Sequence, residues 1–157
     1  MDNTQLIATP ELDKILGKTS SGQEFTSKVL YFKAGFTPAH PDIGETFDAT
    51  RFLYKSLVPG KISVLGWIVL PDGNKNQIGV VFPEDTANGT HPVSNDTDKI
   101  YIVVSGDFTA HISREGSITI LRDLVNKTIA AEFEFYIVIN DVKFTITDGK
   151  LYLPETP

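Results

Sequence analysis

The 157-residue sequence contains no cysteine. That absence excludes disulfide bonds, thiol catalysis, iron–sulfur clusters and cysteine-based zinc sites. The chain also lacks any run of lysine and arginine, and its formal net charge is −6 at pH 7. Because an acidic chain of this kind repels phosphate backbones, we expect no nucleic-acid partner.

Long apolar segments are missing too. The longest runs, such as residues 62–70 and 100–104, are far shorter than the roughly 20 residues of a membrane-spanning helix. Residues 1–10 lack the basic and apolar regions of a signal peptide. We therefore expect no transmembrane segment. The location is predicted to be the cell envelope or the exterior if a signal has been removed, and the cytoplasm otherwise.

Common catalytic motifs are absent as well. No Gly-x-Ser-x-Gly, His-Glu-x-x-His, P-loop or dinucleotide-binding pattern occurs. The sequence therefore predicts no cofactor, and it favours a non-enzymatic function.

The clearest positive pattern is the alternation of apolar and polar side chains in residues 129–153. A period of two residues predicts strands with one buried face. The apolar face holds Phe133, Phe135, Ile137, Ile139, Val142, Phe144 and Ile146, and the polar face holds Glu132, Glu134, Lys143, Thr145 and Thr147.

The pair Asn140-Asp141 divides this stretch and predicts a hairpin. Both residue types tolerate the positive φ angles of a type I′ turn. A two-residue turn at this point pairs Ile139 with Val142 and Phe135 with Ile146. This register brings the apolar residues of both strands onto one side of the sheet.

The rest of the chain continues the β pattern. Residues 10–18 predict one short helix after a flexible segment at 1–9, and residues 47–57 are assigned to a strand in preference to a helix. Further strands are predicted at 25–33, 62–70, 77–82, 100–104, 108–113 and 117–121. A turn at Arg114-Glu115-Gly116 predicts a hairpin that pairs Ile112 with Ile118 and places His111 opposite Thr119, at the surface.

These elements predict an all-β fold. We expect a single domain over residues 10–157, built as an antiparallel sandwich or as a closed or partly open barrel of about eight or nine strands. Long polar loops are predicted at 35–44 and 83–99.

Short strand and turn signatures follow one another from about residue 61 to 153. They are Ile62, Val64, Gly66 and Trp67; Ile78, Val80 and Phe82; Gly89-Thr90-His91-Pro92-Val93; residues 116–120; Phe133 and Phe135; and residues 146–149. This succession resembles a family of uncharacterised β-sheet proteins, a domain of unknown function frequent among exported lipoproteins of Bacteroidetes. The resemblance implies an all-β fold and an envelope or secreted setting. It implies no residue roles, because the family has no agreed chemistry. The lipid anchor of the family is not carried over, since this sequence contains no lipid-accepting cysteine.

Glu132 and Glu134 are the first candidate for chemistry. Their Cα atoms should lie about 6.5 Å apart, and paired carboxylates are the machinery of glycoside hydrolases. Two equally exposed glutamates give no reason for one pKa to rise above the other. A solvated strand face is therefore the favoured interpretation, and a hydrolase is the alternative.

His40, Asp42 and Glu45 are the better candidates for a metal or proton-transfer site, because a histidine and two carboxylates share one loop. A metal-dependent enzyme using these residues is the second form of the enzyme alternative. An ordinary surface loop shaped by Pro41 is the favoured interpretation.

The loop at 84–98 collects oxygen donors and one histidine, with Asp85, His91 and Asp96 as the candidate ligand-binding residues. The order of these residues does not match an EF-hand, so turn chemistry is the favoured interpretation. Trp67 is a candidate stacking platform, although its strand is apolar on both faces and packing in the core is favoured.

The function predicted from these patterns is a non-catalytic binding or interaction domain. Its ligand would be a glycan, a small molecule or a protein, contacted through the loops at 38–48 and 84–98, because loops on a rigid sheet commonly carry function. A structural or assembly component is a further alternative, for which self-association through a sheet edge is expected.

Overall fold

The computed structural model describes residues 30–107 and 109–157. In this part of the chain there are eleven β-strands and no helix. Residues Tyr31–Pro157 form one compact unit. The predicted helix at 10–18, the flexible segment at 1–9 and the first part of the predicted strand at 25–33 lie outside the described residues.

Six of the strands form one antiparallel sheet. In order across that sheet they are β2 (Gly44–Asp48), β1 (Tyr31–His40), β11 (Val142–Pro154), β10 (Thr128–Ile139), β9 (Glu115–Asp123) and β6 (Gly89–Ser94).

The other five strands form a second antiparallel sheet. In order they are β3 (Arg51–Val58), β4 (Lys61–Val69), β5 (Lys75–Pro83), β7 (Tyr101–Ser105) and β8 (Ala110–Ile112).

Both sheets contribute to one hydrophobic cluster. Phe32, Phe133 and Ile146 come from the six-stranded sheet, and Val64 and Ile102 come from the five-stranded sheet. The all-β antiparallel prediction is therefore confirmed. The prediction of a closed barrel is wrong, because the described strands form two separate sheets, and eleven strands replace the predicted eight or nine.

The hairpin of β10 and β11 has the predicted register. Ile139 lies opposite Val142, and Phe135 lies opposite Ile146. Asn140 and Asp141 have φ angles of 50° and 66°, as the turn requires. The strands predicted at 62–70 and 77–82 are present as β4 and β5. The single strand predicted at 47–57 is wrong, because the chain leaves β2 at Asp48 and enters β3, in the other sheet, at Arg51.

The predicted hairpin between β8 and β9 is wrong, because the chain changes sheets between them. The Ser113 N–H donates to the carbonyl of Ile102 in β7, and the Arg114 N–H donates to the carbonyl of Tyr136 in β10. The fully buried Ser113 hydroxyl donates to the Ser94 carbonyl at 2.7 Å and accepts from the Ile102 N–H at 3.0 Å. These hydrogen bonds satisfy the backbone where it crosses the interior.

The crossing changes the partners of three residues. Ile112 pairs with Val103, and Ile118 pairs with Phe133 and His91. His111 lies opposite Val104, not opposite Thr119. Because Val104 is fully buried, this register turns His111 toward the core, and the predicted surface position of His111 is wrong.

The two predicted loops contain strands. Residues 38–48 are a hairpin, in which β1 continues to His40 and β2 returns from Gly44. The 84–98 loop contains β6, an edge strand that pairs with β9. Within the residues that the structure describes, no helix is long and apolar enough to cross a membrane.

Candidate functional site

His40 lies buried at the end of β1, with only 3% of its surface exposed. Its Nδ1 accepts hydrogen bonds from the backbone N–H groups of Asp42 at 3.0 Å and Ile43 at 3.1 Å. The ring packs between Phe36 and Phe144, with centroid distances of 5.3 and 6.2 Å. The prediction of a surface loop at His40 is therefore wrong.

Asp42 and Glu45 do not join His40 in a metal site. An Asp42 carboxylate oxygen accepts a hydrogen bond from the Asp107 N–H at 3.0 Å, and Glu45 is exposed on β2. Among residues 30–107 and 109–157, no group of three or more His, Cys, Asp or Glu side chains is placed to hold a metal ion.

Asp85, His91 and Asp96 are spread along the edge of the six-stranded sheet. Asp85 precedes β6 and Asp96 follows it, so the strand separates them by roughly 16 Å. His91 Nε2–H donates to the Ala87 carbonyl at 2.6 Å. An Asp96 carboxylate oxygen accepts from the Asp98 N–H at 2.9 Å. His91 and Asp96 therefore serve the turns around them, as the favoured interpretation stated.

Trp67 lies on the outer face of the five-stranded sheet, partly exposed, opposite Arg51 and Gln77. The Nζ atom of Lys75 lies 5.5 Å from the centre of its ring. The prediction that Trp67 packs in the core is wrong, since Val64 and Gly66 face inward and Trp67 has the opposite parity.

The outer face of the six-stranded sheet carries a groove of about 450 Å³. It runs over β9, β10 and β11, and the buried residues Phe133 and Gly149 form its base. The other lining residues are Ser117, Thr119, Glu132, Glu134, Thr147, Asp148 and Lys150. This groove contains both glutamates of the predicted pair.

A β-bulge shapes the groove. Phe133 pairs with Gly149 and Phe135 pairs with Ile146, so Glu134 faces two residues, Thr147 and Asp148. Asp148 takes a φ of 54°, a left-handed conformation that aspartate tolerates better than most residues. In a regular strand Thr147 and Asp148 would point to opposite faces, whereas here both line the groove.

A smaller depression of about 250 Å³ adjoins the groove and shares Ser117 and Glu134 with it. Tyr136 and Lys143 lie in it, with the lysine Nζ atom 4.4 Å from the centre of the tyrosine ring. The two depressions together extend the surface along β10 beyond the bulge.

Charged and hydroxyl side chains cross the groove in register. One row of paired residues runs from β9 through β10 and β11 to β1. Its members, in that order, are Thr119, Glu132, Lys150 and Lys33. Three carboxylates line the groove, those of Glu132, Glu134 and Asp148, against the single ammonium group of Lys150. The groove therefore offers carboxylate acceptors, one cationic donor, and three hydroxyl groups that can donate or accept a hydrogen bond.

Tyr31 and Tyr152 lie beside the Glu132 end of the groove, opposite each other in register, with ring centroids 6.4 Å apart. Burial raises the pKa of Tyr31, and the Glu132 carboxylate and Tyr152 raise it further. Burial also raises the pKa of Tyr152. Both phenols therefore stay neutral at physiological pH and keep their O–H donors.

The sequence patterns do not predict that one site combines Asp148, Gly149, Lys150, Ser117 and Thr119. The signal available was the Asp-Gly pair inside an alternating strand, a combination that commonly marks a bulge. Comparisons with protein-family models, with curated proteins and with solved structures found no match.

Proposed function

We propose that this chain is a non-catalytic β-sandwich domain that binds a glycan across the outer face of its six-stranded sheet. The observation that carries the proposal is the groove at the bulge, where side chains from three strands converge on one polar depression. Its volume falls in the range of ligand sites, which is roughly 300–1,000 Å³.

The donor and acceptor pattern of the groove matches a polyhydroxylated ligand. Ionised carboxylates accept hydrogen bonds, so Glu132, Glu134 and Asp148 can receive those of sugar hydroxyl groups. Lys150 can donate to hydroxyl or ring oxygens. Because carboxylates outnumber lysine three to one in the lining, neutral glycans and amino sugars fit better than sulfated or uronic-acid glycans.

Tyrosines flank the groove at both ends. Tyr136 lies in the adjoining depression, and Tyr152 lies opposite Ala130 on the same face. Ala130 and Tyr136 are six positions apart on β10, roughly 20 Å along the strand. Aromatic side chains offer apolar faces to sugar rings, so this spacing fits a linear oligosaccharide better than a single sugar.

The groove replaces the two predicted loops as the binding surface that we favour. The hairpin at 38–48 buries His40, and His91 and Asp96 in 84–98 are engaged in local hydrogen bonds. The groove combines side chains from β9, β10 and β11 on a paired sheet, which holds them more rigidly than a loop would.

Glycoside hydrolysis is a second candidate function, favoured by one observation. Glu132 and Glu134 line the same groove on the same strand. Both are exposed in an open depression, and neither has the apolar surroundings that turn a carboxyl group into a general acid. We therefore favour glycan binding without cleavage over glycoside hydrolysis.

Assembly is a third candidate, favoured by the outer face of the five-stranded sheet. One row of paired residues crosses that face and contains four partly exposed apolar side chains. In order across the sheet the row is Leu53, Leu65, Gly79, Val103 and Ile112. A self-associating chain would bury such a row. Sedimentation over a range of protein concentrations, with Val103→Lys as the disrupting variant, tests this candidate.

The test of the glycan proposal is a screen against soluble oligosaccharides of glucose, xylose, mannose and N-acetylglucosamine. Retention of one of them without the release of new reducing ends is the expected result. Release of reducing ends would replace binding by hydrolysis as the function. Failure to retain any of them would contradict the proposal.

A further inference from the structure

Three polar side-chain atoms lie buried without a hydrogen-bond partner in the part of the chain that the structure describes. They are His40 Nε2, Asn76 Oδ1 and His111 Nδ1. His40 and Asn76 are 3% and 4% exposed. Burying a polar atom without a partner costs about 1–3 kcal/mol, so three such atoms together need an explanation.

The three residues come from both sheets and meet at one end of the core. His40 ends β1, and Asn76 begins the inward-facing row of β5 that continues with Ile78. His111 belongs to the same inner face, because it pairs with Val104 and Val104 pairs with Ile78.

Hydrogen bonds through Asp42 join two of these residues, His40 and Asn76. The Asn76 side-chain amide donates to the Asp42 carbonyl at 3.4 Å, and the Asp42 N–H donates to His40 Nδ1 at 3.0 Å. Burial lowers the pKa of His40, and His111 lowers it further. We therefore group His111, on the inner face of β8, with His40 and Asn76 as one polar cluster inside an apolar core.

The hydrogen bonds of His40 fix the chemistry that the cluster offers. Because Nδ1 accepts from two backbone N–H groups, the ring proton of the neutral imidazole must sit on Nε2. The cluster thus presents one donor at His40 Nε2–H, one acceptor at Asn76 Oδ1, and His111 Nδ1, which can take either role.

We propose that this cluster is an internal binding site for one water molecule that joins the two sheets. The water accepts a hydrogen bond from His40 Nε2–H and donates its two protons to Asn76 Oδ1 and His111 Nδ1. Three hydrogen bonds are typical of a buried water. The arrangement also assigns the ring proton of neutral His111 to Nε2.

Other guests fit the cluster less well. A metal ion needs a lone pair on His40 Nε2, which would move the ring proton to Nδ1, against the two backbone N–H groups that point at it. An anion would find one donor beside the carbonyl oxygen of Asn76. A neutral molecule that both donates and accepts satisfies all three atoms.

Nitrogen-15 and proton NMR of the histidine side chains, recorded above pH 7 on the whole chain, tests this site. We expect both His40 and His111 as Nε2–H tautomers, and a cross-peak between the His40 Hε2 proton and a long-lived water. An Nδ1–H tautomer at either ring, or a His40 Hε2 proton with no water cross-peak, would overturn the proposal.

Two further measurements use matched probes. Asn76→Leu should remove the water cross-peak, whereas Gln77→Leu, on the opposite face of β5, should keep it; a cross-peak that survives Asn76→Leu would count against the site. Should Asn76→Leu fail to fold, the spectra of the unaltered protein decide alone. Addition of Zn²⁺ should leave the His40 and His111 signals unmoved, and a shift of both would make this a metal site.

Discussion

Gly149 lies against the ring of Phe133, so closely that a Cβ atom on this glycine would stand 2.2 Å from the ring atom Cε2. The two residues are paired in β10 and β11 immediately beside the bulge. The glycine therefore allows the aromatic ring to lie across the neighbouring strand on the core side, and both residues line the groove on the other side.

We predict that Gly149→Ala destabilises the fold by about 1–3 kcal/mol, the usual cost of overpacking a core. Chemical denaturation measures the change. Gly35→Ala is the matched control in β1, because its added Cβ would meet only ordinary contacts of 3.6 Å and longer. Equal effects of the two substitutions would contradict the close packing of Phe133 on Gly149.

Two substitutions of Asp148 test the left-handed backbone conformation at the bulge, and both remove the carboxylate. Asp148→Gly should leave the free energy of unfolding within about 1 kcal/mol of the original, since glycine adopts its φ of 54° freely. Asp148→Val should be clearly destabilising, because a β-branched residue is strained there. Thermal unfolding compares them, and a stable valine variant would contradict the bulge.

Ser113 tests the crossing between the sheets. Ser113→Ala leaves the Ile102 N–H and the Ser94 carbonyl without the hydroxyl, which should cost about 1–3 kcal/mol. Ser56→Ala is the control, because its hydroxyl donates to the Val58 carbonyl at the exposed end of β3 and its loss should change stability by under about 0.5 kcal/mol. If Ser113→Ala proves as mild as the control, the hydroxyl does not hold the crossing.

The stability of the fold should depend on the protonation of His40. Burial lowers its pKa below the ordinary 6.5, His111 lowers it further, and Asp42 acts in the opposite sense. The unfolded chain therefore takes up the proton first, so His40 stabilises the fold fully above pH 6.5 and progressively less as the pH falls below it.

Denaturant midpoints measured between pH 7.5 and 5 test that dependence. His40→Asn should flatten the decline below pH 6.5, whereas His91→Asn, at a partly exposed edge strand, should leave it in place. An unchanged slope in the His40 variant would show that other groups cause the decline.

Local patterns were sufficient for the hairpin of β10 and β11. Its alternation identifies the strands, and the turn residues Asn140 and Asp141 lie between them in sequence. The path from Ile112 to Gly116 could not be predicted in this way. Its turn residues favour a hairpin, but the Ser113 and Arg114 N–H groups bond to different sheets, and only the tertiary structure decides that.

The site was predictable only in part. Glu132 and Glu134 follow from alternation on the polar face, and that prediction is confirmed, since both are exposed. Asp148 joins the two glutamates in the groove because β11 has one extra residue opposite Glu134, and this bulge is defined only when β10 and β11 pair. The inward orientation of His111 follows only from its pairing with Val104, which the sequence does not show.

The most direct test of the glycan-binding account is NMR mapping with an oligosaccharide retained in the screen. We expect backbone shifts at Ser117, Thr119, Thr147 and Gly149, and at least a tenfold loss of affinity in Glu134→Gln and in Glu132→Gln, since a hydrogen bond to a charged group contributes about 1.5–3 kcal/mol. Asp98→Asn, which removes the same charge in the 84–98 loop, should bind normally. Shifts confined to residues 38–48 or 84–98, with both glutamine variants binding normally, would contradict the account.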